Sequence, residues 1–155
     1  MADEDWDIPE HLQPDPTEHG FDLDQAYRAM VGLRSQVPPD AFTARVLGTE
    51  REGSGVLIGD GLVLTVGYLV SEAESIWITT AEGRAVPGHA LAVDQETGFA
   101  LVQALGKIPL KPAALGDSET LKIGAATVMA AAGEGLARDQ LARHRRHQQQ
   151  RRRPE

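Results

Sequence analysis

Residues 53–70 constrain this chain more than any other stretch. They read Gly-Ser-Gly-Val-Leu-Ile-Gly-Asp-Gly-Leu-Val-Leu-Thr-Val-Gly-Tyr-Leu-Val. Two apolar runs, Ser54 to Ile58 and Leu62 to Val66, flank Gly59-Asp60-Gly61. The runs are too short for helices, and a Gly-Asp-Gly step supplies the positive φ values that a tight hairpin turn requires. The stretch therefore predicts a β-hairpin, broken after its second strand at Gly67-Tyr68. An isolated hairpin is marginal in water, so the rest of the chain must complete a sheet around it.

Further strands are available. Ile76 to Thr80, Ala85 to Val93 and Phe99 to Ala104 read as strands separated by Ala81-Glu82-Gly83-Arg84 and Asp94-Gln95-Glu96-Thr97-Gly98. Phe42 to Gly48 is the candidate first strand. Six short strands with turn signals roughly every ten residues predict an antiparallel barrel or sandwich. A bend or bulge is expected at Pro87-Gly88 in the longest strand. After a connector at Leu115 to Gly124, Ala125 to Ala132 reads as a last, weak strand. Ahead of the β region, residues 22–36 are expected to hold one short helix. Asp22 or Asp24 can cap it, Leu23, Tyr27, Met30 and Val31 line one face, and Val37-Pro38-Pro39-Asp40 ends it.

Composition narrows the function classes. The 155 residues suit one domain, and aromatic residues make up only 5%, so the core must be Val, Leu, Ile and Ala. There is no cysteine, which excludes disulfides and thiolate metal sites. His11 and His19 sit among acids at a spacing that fits no standard metal geometry. Asp15 to Gly20 resembles the start of a calcium loop, but Ala26 stands where the twelfth position needs a bidentate Glu. Gly53 to Gly61 lacks the Lys-Ser/Thr of a phosphate loop. No cofactor and no metal are expected.

The net charge of −8 is unevenly spread. Met1 to Asp24 holds acids and no Lys or Arg, whereas Arg138 onward is dominated by Arg, Gln and His. Residues 1–21 and 138–155 are expected to be a disordered acidic arm and a disordered basic tail. The chain opens on acids rather than on a basic segment leading into an apolar run, and no stretch approaches the ~20 apolar residues of a membrane span. These features predict a cytoplasmic protein with no membrane partner.

Several pieces recur in a recognisable order over roughly 85 residues. Gly53-Ser54-Gly55 leads an apolar strand, and Gly61 leads three apolar residues to Thr65. Asp94 and Thr97 frame a turn feeding the apolar strand through Val102. Leu115-Gly116-Asp117-Ser118 is followed by Leu121 and Gly124. In that order they resemble the N-terminal barrel of trypsin-like serine proteases of the HtrA/Deg type. The resemblance implies a mainly β fold: a six-stranded antiparallel Greek-key barrel with its linker over residues 41–133.

The resemblance also implies where catalytic groups would stand. The histidine position falls on Tyr68 and the aspartate position on Gly98. A phenol titrates near about 10 and is no base at neutral pH, and glycine has no side chain. Asp94 is close in sequence but belongs to the turn. The family's nucleophile comes from a Gly-x-Ser-Gly type motif in a second barrel, and none follows residue 105. No catalytic residue is expected. Tyr68 is read as a semi-buried aromatic plug, Ser54 as a strand or turn residue rather than a nucleophile, and His89 as a surface or structural residue.

The resulting expectation is a non-catalytic protease homologue that binds a protein partner or itself through the barrel face a second barrel would cover. One alternative is an active or trans-complemented serine endopeptidase using Ser54 or a residue from another chain. Another is nucleic-acid association through Arg143, Arg145, Arg146, Arg151, Arg152 and Arg153, without aromatic stacking. The abrupt change of composition after Gly133-Glu134-Gly135-Leu136 is what a shifted reading frame or an early stop in a longer gene would produce.

Overall fold

Six strands close into one antiparallel barrel in the computed structural model, which describes residues 9–132. The strands are β1 (Met30–Gln36), β2 (Glu50–Gly59), β3 (Leu62–Val66), β4 (Ser75–Thr80), β5 (Ala85–Val93) and β6 (Phe99–Ala104). Their order around the barrel is β1-β2-β3-β6-β5-β4. Two three-stranded meanders, β1 to β3 and β4 to β6, join along β3–β6 and close along β1–β4. Three short helices attach to this frame: α1 (Leu23–Arg28), α2 (Ala44–Leu47) and α3 (Gly67–Val70). Residues 9–21 carry two 3₁₀ turns, Glu10–Leu12 and Pro16–Glu18, the second capped by the Asp15 carboxylate. The basic tail lies outside the described residues.

The hairpin, β5 and β6 form where the apolar runs predict them. Four other expectations change. The helix expected over residues 22–36 ends at Arg28, and the chain turns through Ala29 into β1. The Asp22 carboxylate caps the helix at Gln25 N (3.0 Å). From Val31 the buried positions are Val31, Leu33 and Ser35, a period of two. That period, and a closing partner on each side, favour a strand over a longer helix. The barrel thus begins at Met30 rather than at residue 41. Phe42 to Gly48 is not its first strand but a turn and α2, with Phe42 90% and Val46 86% exposed. Pro87 and Gly88 stay in the ladder opposite Trp77 and Ile76, and the bulge falls further along the same strand, between Ala90 and Ala92. Ala125 to Ala132 joins no ladder.

The core fills with small aliphatic side chains, as the scarcity of aromatics requires. Val31, Leu57, Val63, Ile78 and Val102 are fully buried, each from a different strand. Each such side chain stabilises the fold by roughly 1.5–3 kcal/mol through burial. Packing this tight explains a glycine in β2. A Cβ at Gly55 would stand 2.6 Å from Val63 Cγ1 and 2.8 Å from Leu33 Cδ1.

A buried cation holds one end of the barrel. Arg51 is 4% exposed on β2. Its Nη1 donates to the carbonyls of Tyr68 (2.7 Å) and Ser71 (3.0 Å), at the end of α3. Nε donates to Gly48 O (3.3 Å) and Nη2 to Thr43 Oγ1 (2.7 Å). The Thr43 hydroxyl in turn donates to the Glu72 carboxylate. That carboxylate also accepts from Phe42 N (3.0 Å) and Thr43 N (2.8 Å). These bonds, led by those from Thr43 and aided by the Arg51 charge, hold the Glu72 carboxyl below the usual glutamate range.

Two outcomes follow from these contacts. Gly55→Ala should cost about 1–3 kcal/mol through overpacking, whereas Gly116→Ala, where a Cβ meets nothing within 4 Å, should stay within about 0.5 kcal/mol. Urea titrations of both variants check this. The Glu72 shift carries a pH signature. Its folded pKa lies below its unfolded one, so the charged carboxylate contributes stability above the ordinary glutamate value and loses it as pH falls through the folded value. Wild-type stability should therefore fall more steeply than that of Glu72→Gln as the pH drops below about 4.5. Parallel acid titrations read the difference, since the depressed carboxyls of Asp15 and Asp94 are common to both proteins.

Candidate functional site

β3 ends at Val66, which is still extended, and the chain tightens at once into α3. Val66 pairs with Phe99 at the start of β6. One residue further on, Gly67 N donates to Gly98 O at 2.7 Å. The fold therefore brings together positions 68 and 98, where the resemblance sets base and carboxylate. α3 is fixed by its buried residues Gly67, Leu69 and Val70 and by Arg51 beneath its last carbonyls.

The side chains at these positions do not supply an acid–base pair. Tyr68 is 53% exposed, more open than the semi-buried plug expected, and its backbone carbonyl accepts from Arg51 Nη1. Gly98 adopts φ +76°, a left-handed conformation that side-chain-bearing residues rarely take. Its N–H donates to Asp94 O (2.9 Å), closing the turn into β6.

Asp94 is committed to the same turn. Oδ2 accepts from Thr97 Oγ1 at 2.6 Å and Oδ1 from Glu96 N at 3.0 Å. These bonds, the Thr97 hydroxyl first, hold its carboxyl below the usual aspartate range. The carboxylate is an Asx-turn group with both oxygens engaged.

Ser54 sits on β2, one strand from the site. Its hydroxyl donates to Ala132 O (2.9 Å) and accepts from Ala132 N (2.8 Å). Its carbonyl accepts from Thr65 Oγ1 (2.8 Å). His89 lies exposed on β5 opposite Gln103. His19 tilts against Phe21 with ring centroids 5.5 Å apart. Among the described residues no cluster of His, Asp and Glu converges on a cation position, and no helix is long and apolar enough to cross a membrane.

Between α1 and the β2–β3 hairpin runs an open trench of about 430 Å³, lined among others by Phe21, Tyr27, Ser54, Val66, Phe99 and Val128. At the site end it is lined by Val66 and Phe99, which are 38% and 51% exposed. Sequence reasoning missed Arg51, Thr43 and Glu72. A signal for Arg51 existed: counting back by twos from buried Leu57 through Gly55 and Gly53 reaches residue 51, on the inward face of β2.

A family model for the trypsin-like peptidase domain matches residues 53–153, more than half of the chain. Two proteins described as probable periplasmic serine endoproteases, DegP-like, from Pseudomonas putida strains F1 and W619, are each 37% identical over 73 residues. That alignment takes in 46% of this chain and 15% of each relative. Among solved structures, the HtrA-type protease AlgW with tripeptide superposes with a TM-score of 0.54 at 21% identity, over 64% of this chain and 30% of that one. A variant form of the same protease gives 0.55 at 22% identity, over 65% and 30%. The chain thus spans only a small part of the relatives it matches. The relatives' periplasmic description overturns the expectation of a cytoplasmic protein: an acidic first segment says nothing of compartment when the alignment reaches so little of the longer proteins. With its barrel, its β3–α3 junction and its matched residues, the chain belongs to the trypsin-like peptidase family, on the HtrA/Deg side of it.

Proposed function

We propose that this chain is a non-catalytic member of the family that serves as a protein-binding or scaffold module. One observation carries the reading. At the β3–β6 junction, where the family resemblance calls for a base and a carboxylate, stand an exposed phenol at Tyr68 and a left-handed glycine at Gly98. A general base must reach its proton within about 2.6–3.2 Å and titrate near the working pH. Position 68 offers a phenol in place of an imidazole, and position 98 offers no carboxylate to orient one. Asp94 is tied into its own turn, and the Ser54 hydroxyl faces the backbone of Ala132 instead of an imidazole.

The binding half of the reading rests on the same end of the barrel. Val66 and Phe99, ladder partners, are both exposed, and so is Tyr68, two residues after Val66. Exposed apolar side chains suit a protein partner. The competing reading, an active or trans-complemented serine endopeptidase, draws on the serine endoprotease description of the longer relatives.

A fluorophosphonate probe separates the two. The chain should remain unlabelled at neutral pH, and labelling that disappears in Ser54→Ala would establish the enzyme instead. Restoring the missing groups should not create activity. The double variant Tyr68→His, Gly98→Asp should stay unlabelled, because Ser54 remains bonded to Ala132. The Gly98→Asp change alone should cost about 1–2 kcal/mol in thermal or urea unfolding, because it forces a side chain into a left-handed backbone.

A further inference from the structure

The connection between β1 and β2 leaves an open hollow of about 700 Å³, lined by residues 40–43 and 45–47. Its apolar groups face solvent: Phe42, Val46 and Leu47 are 90%, 86% and 41% exposed. None of the three belongs to the core cluster, so closing the barrel does not account for them. Their backbone is nevertheless fixed. Glu72, itself in the left-handed region at φ +60°, accepts from Phe42 N and Thr43 N, and Arg51 donates to the Thr43 hydroxyl. Holding a side-chain-bearing residue left-handed costs free energy. The turn thus presents exposed apolar side chains at set positions, which lowers the ordering cost of binding to them.

The surroundings of the hollow are acidic. Asp40 lines it and Glu72 bonds its turn. Glu50 and Glu74 flank Gln36 at the same end of the barrel, Glu50 as its ladder partner and Glu74 through its N–H to the Gln36 carbonyl (2.8 Å). All four acids are exposed. Among the described residues Asp40, Glu50 and Glu74 form no salt bridge. Arg45 is the only cation that lines the hollow, and the donors of Arg51 are committed to carbonyls and to Thr43. An apolar hollow in this setting suits a segment that is both apolar and cationic.

This chain carries such a segment. Leu-Ala-Arg stands at residues 136–138 and again at 141–143, and from Arg143 to Arg153 the arginines recur with no acid among them. The segment starts from a fixed point on the barrel, because Ser54 bonds both main-chain groups of Ala132. Glu50 lies four residues back along the same strand as Ser54, about 13 Å at ~3.3 Å per residue. The eleven residues from Gly133 to Arg143 can span up to roughly 36–40 Å, so both leucines and the first arginines reach the hollow with chain to spare. A short tether sets a local concentration of about the mM range, which favours the chain's own tail over another molecule's.

We propose that residues 136–153 dock on the β1–β2 hollow of their own molecule, with Leu136 and Leu141 against Phe42, Val46 and Leu47 and the arginines among Asp40, Glu50 and Glu74. Docking withholds the arginines from other anions, nucleic-acid phosphates included, and the apolar hollow from other proteins. The inference does not depend on whether the chain is catalytic.

A nitroxide on Gln148→Cys reads the contact in the full chain, since no native cysteine competes for the label. Amide signals of residues 40–47 in the isotope-labelled chain should lose at least about half of their intensity at low salt and regain it near 1 M salt, where screening shortens to ~3 Å. The loss should vanish in the variant Asp40→Asn, Glu50→Gln, Glu74→Gln and, separately, in Phe42→Ser. Both leave Thr43, Arg51 and Glu72 in place, and circular dichroism verifies that each barrel has folded. Isotope-labelled chain without nitroxide, mixed with unlabelled nitroxide chain, should show no loss. An equal loss in that mixture would assign the hollow to the tail of a second copy and overturn the proposal. So would a loss centred on the acidic residues 2–8, a loss that persists in both variants, or none at all.

Discussion

The buried guanidinium of Arg51 is the interaction on which the site end of the barrel depends. A charge removed from water is costly unless its donors find well-placed acceptors. Here three backbone carbonyls and a hydroxyl receive it, and two of those carbonyls belong to the end of α3, where helix geometry leaves acceptors without partners. The cation and the helix end each satisfy what the other lacks. The same group orients Thr43, and Thr43 with Glu72 holds the turn before α2. A strand, a helix and a distant turn are thus fixed relative to one another through one side chain.

The shape of this end of the barrel does not depend on the side chains at positions 68 and 98. α3 is held by packing of Leu69 and Val70, by the Gly67 N–H to Gly98 carbonyl bond and by Arg51. None of these involves the side chain at position 68, and position 98 takes part only through its backbone. Fold and chemistry rest on different atoms, so one can persist without the other.

The sequence made the barrel legible where apolar runs and turn residues agreed, in the hairpin and in β4 to β6. It was misleading for β1. Met30, Val31 and Leu33 extend an apolar helical face begun at Leu23 and Tyr27, and the same residues also read as an alternating strand. Closure decides between the two, because β1 is the strand that pairs with both β2 and β4, a long-range requirement that no local window contains. Phe42 to Gly48 erred in the opposite sense: an apolar, β-prone run is held as a turn by a carboxylate 29 residues away. At the site, the identities of Tyr68 and Gly98 could be read directly. The commitment of Asp94 to its turn, the left-handed backbone of Gly98 and the engagement of Ser54 are matters of geometry alone.

The double role of β1 bears on where this domain can be divided. A barrel has no free edges only while every strand has two neighbours. Residues 30–36 lie ahead of the stretch that carries the family match, which starts at residue 53 within β2. A fragment trimmed to that match would lose β1 and the first three residues of β2, Arg51 among them. It would present the outer edges of β2 and β4 as two open templates for intermolecular pairing. Residues ahead of the matched stretch therefore keep the matched barrel closed, and the unit of folding begins earlier in the chain than that sequence match.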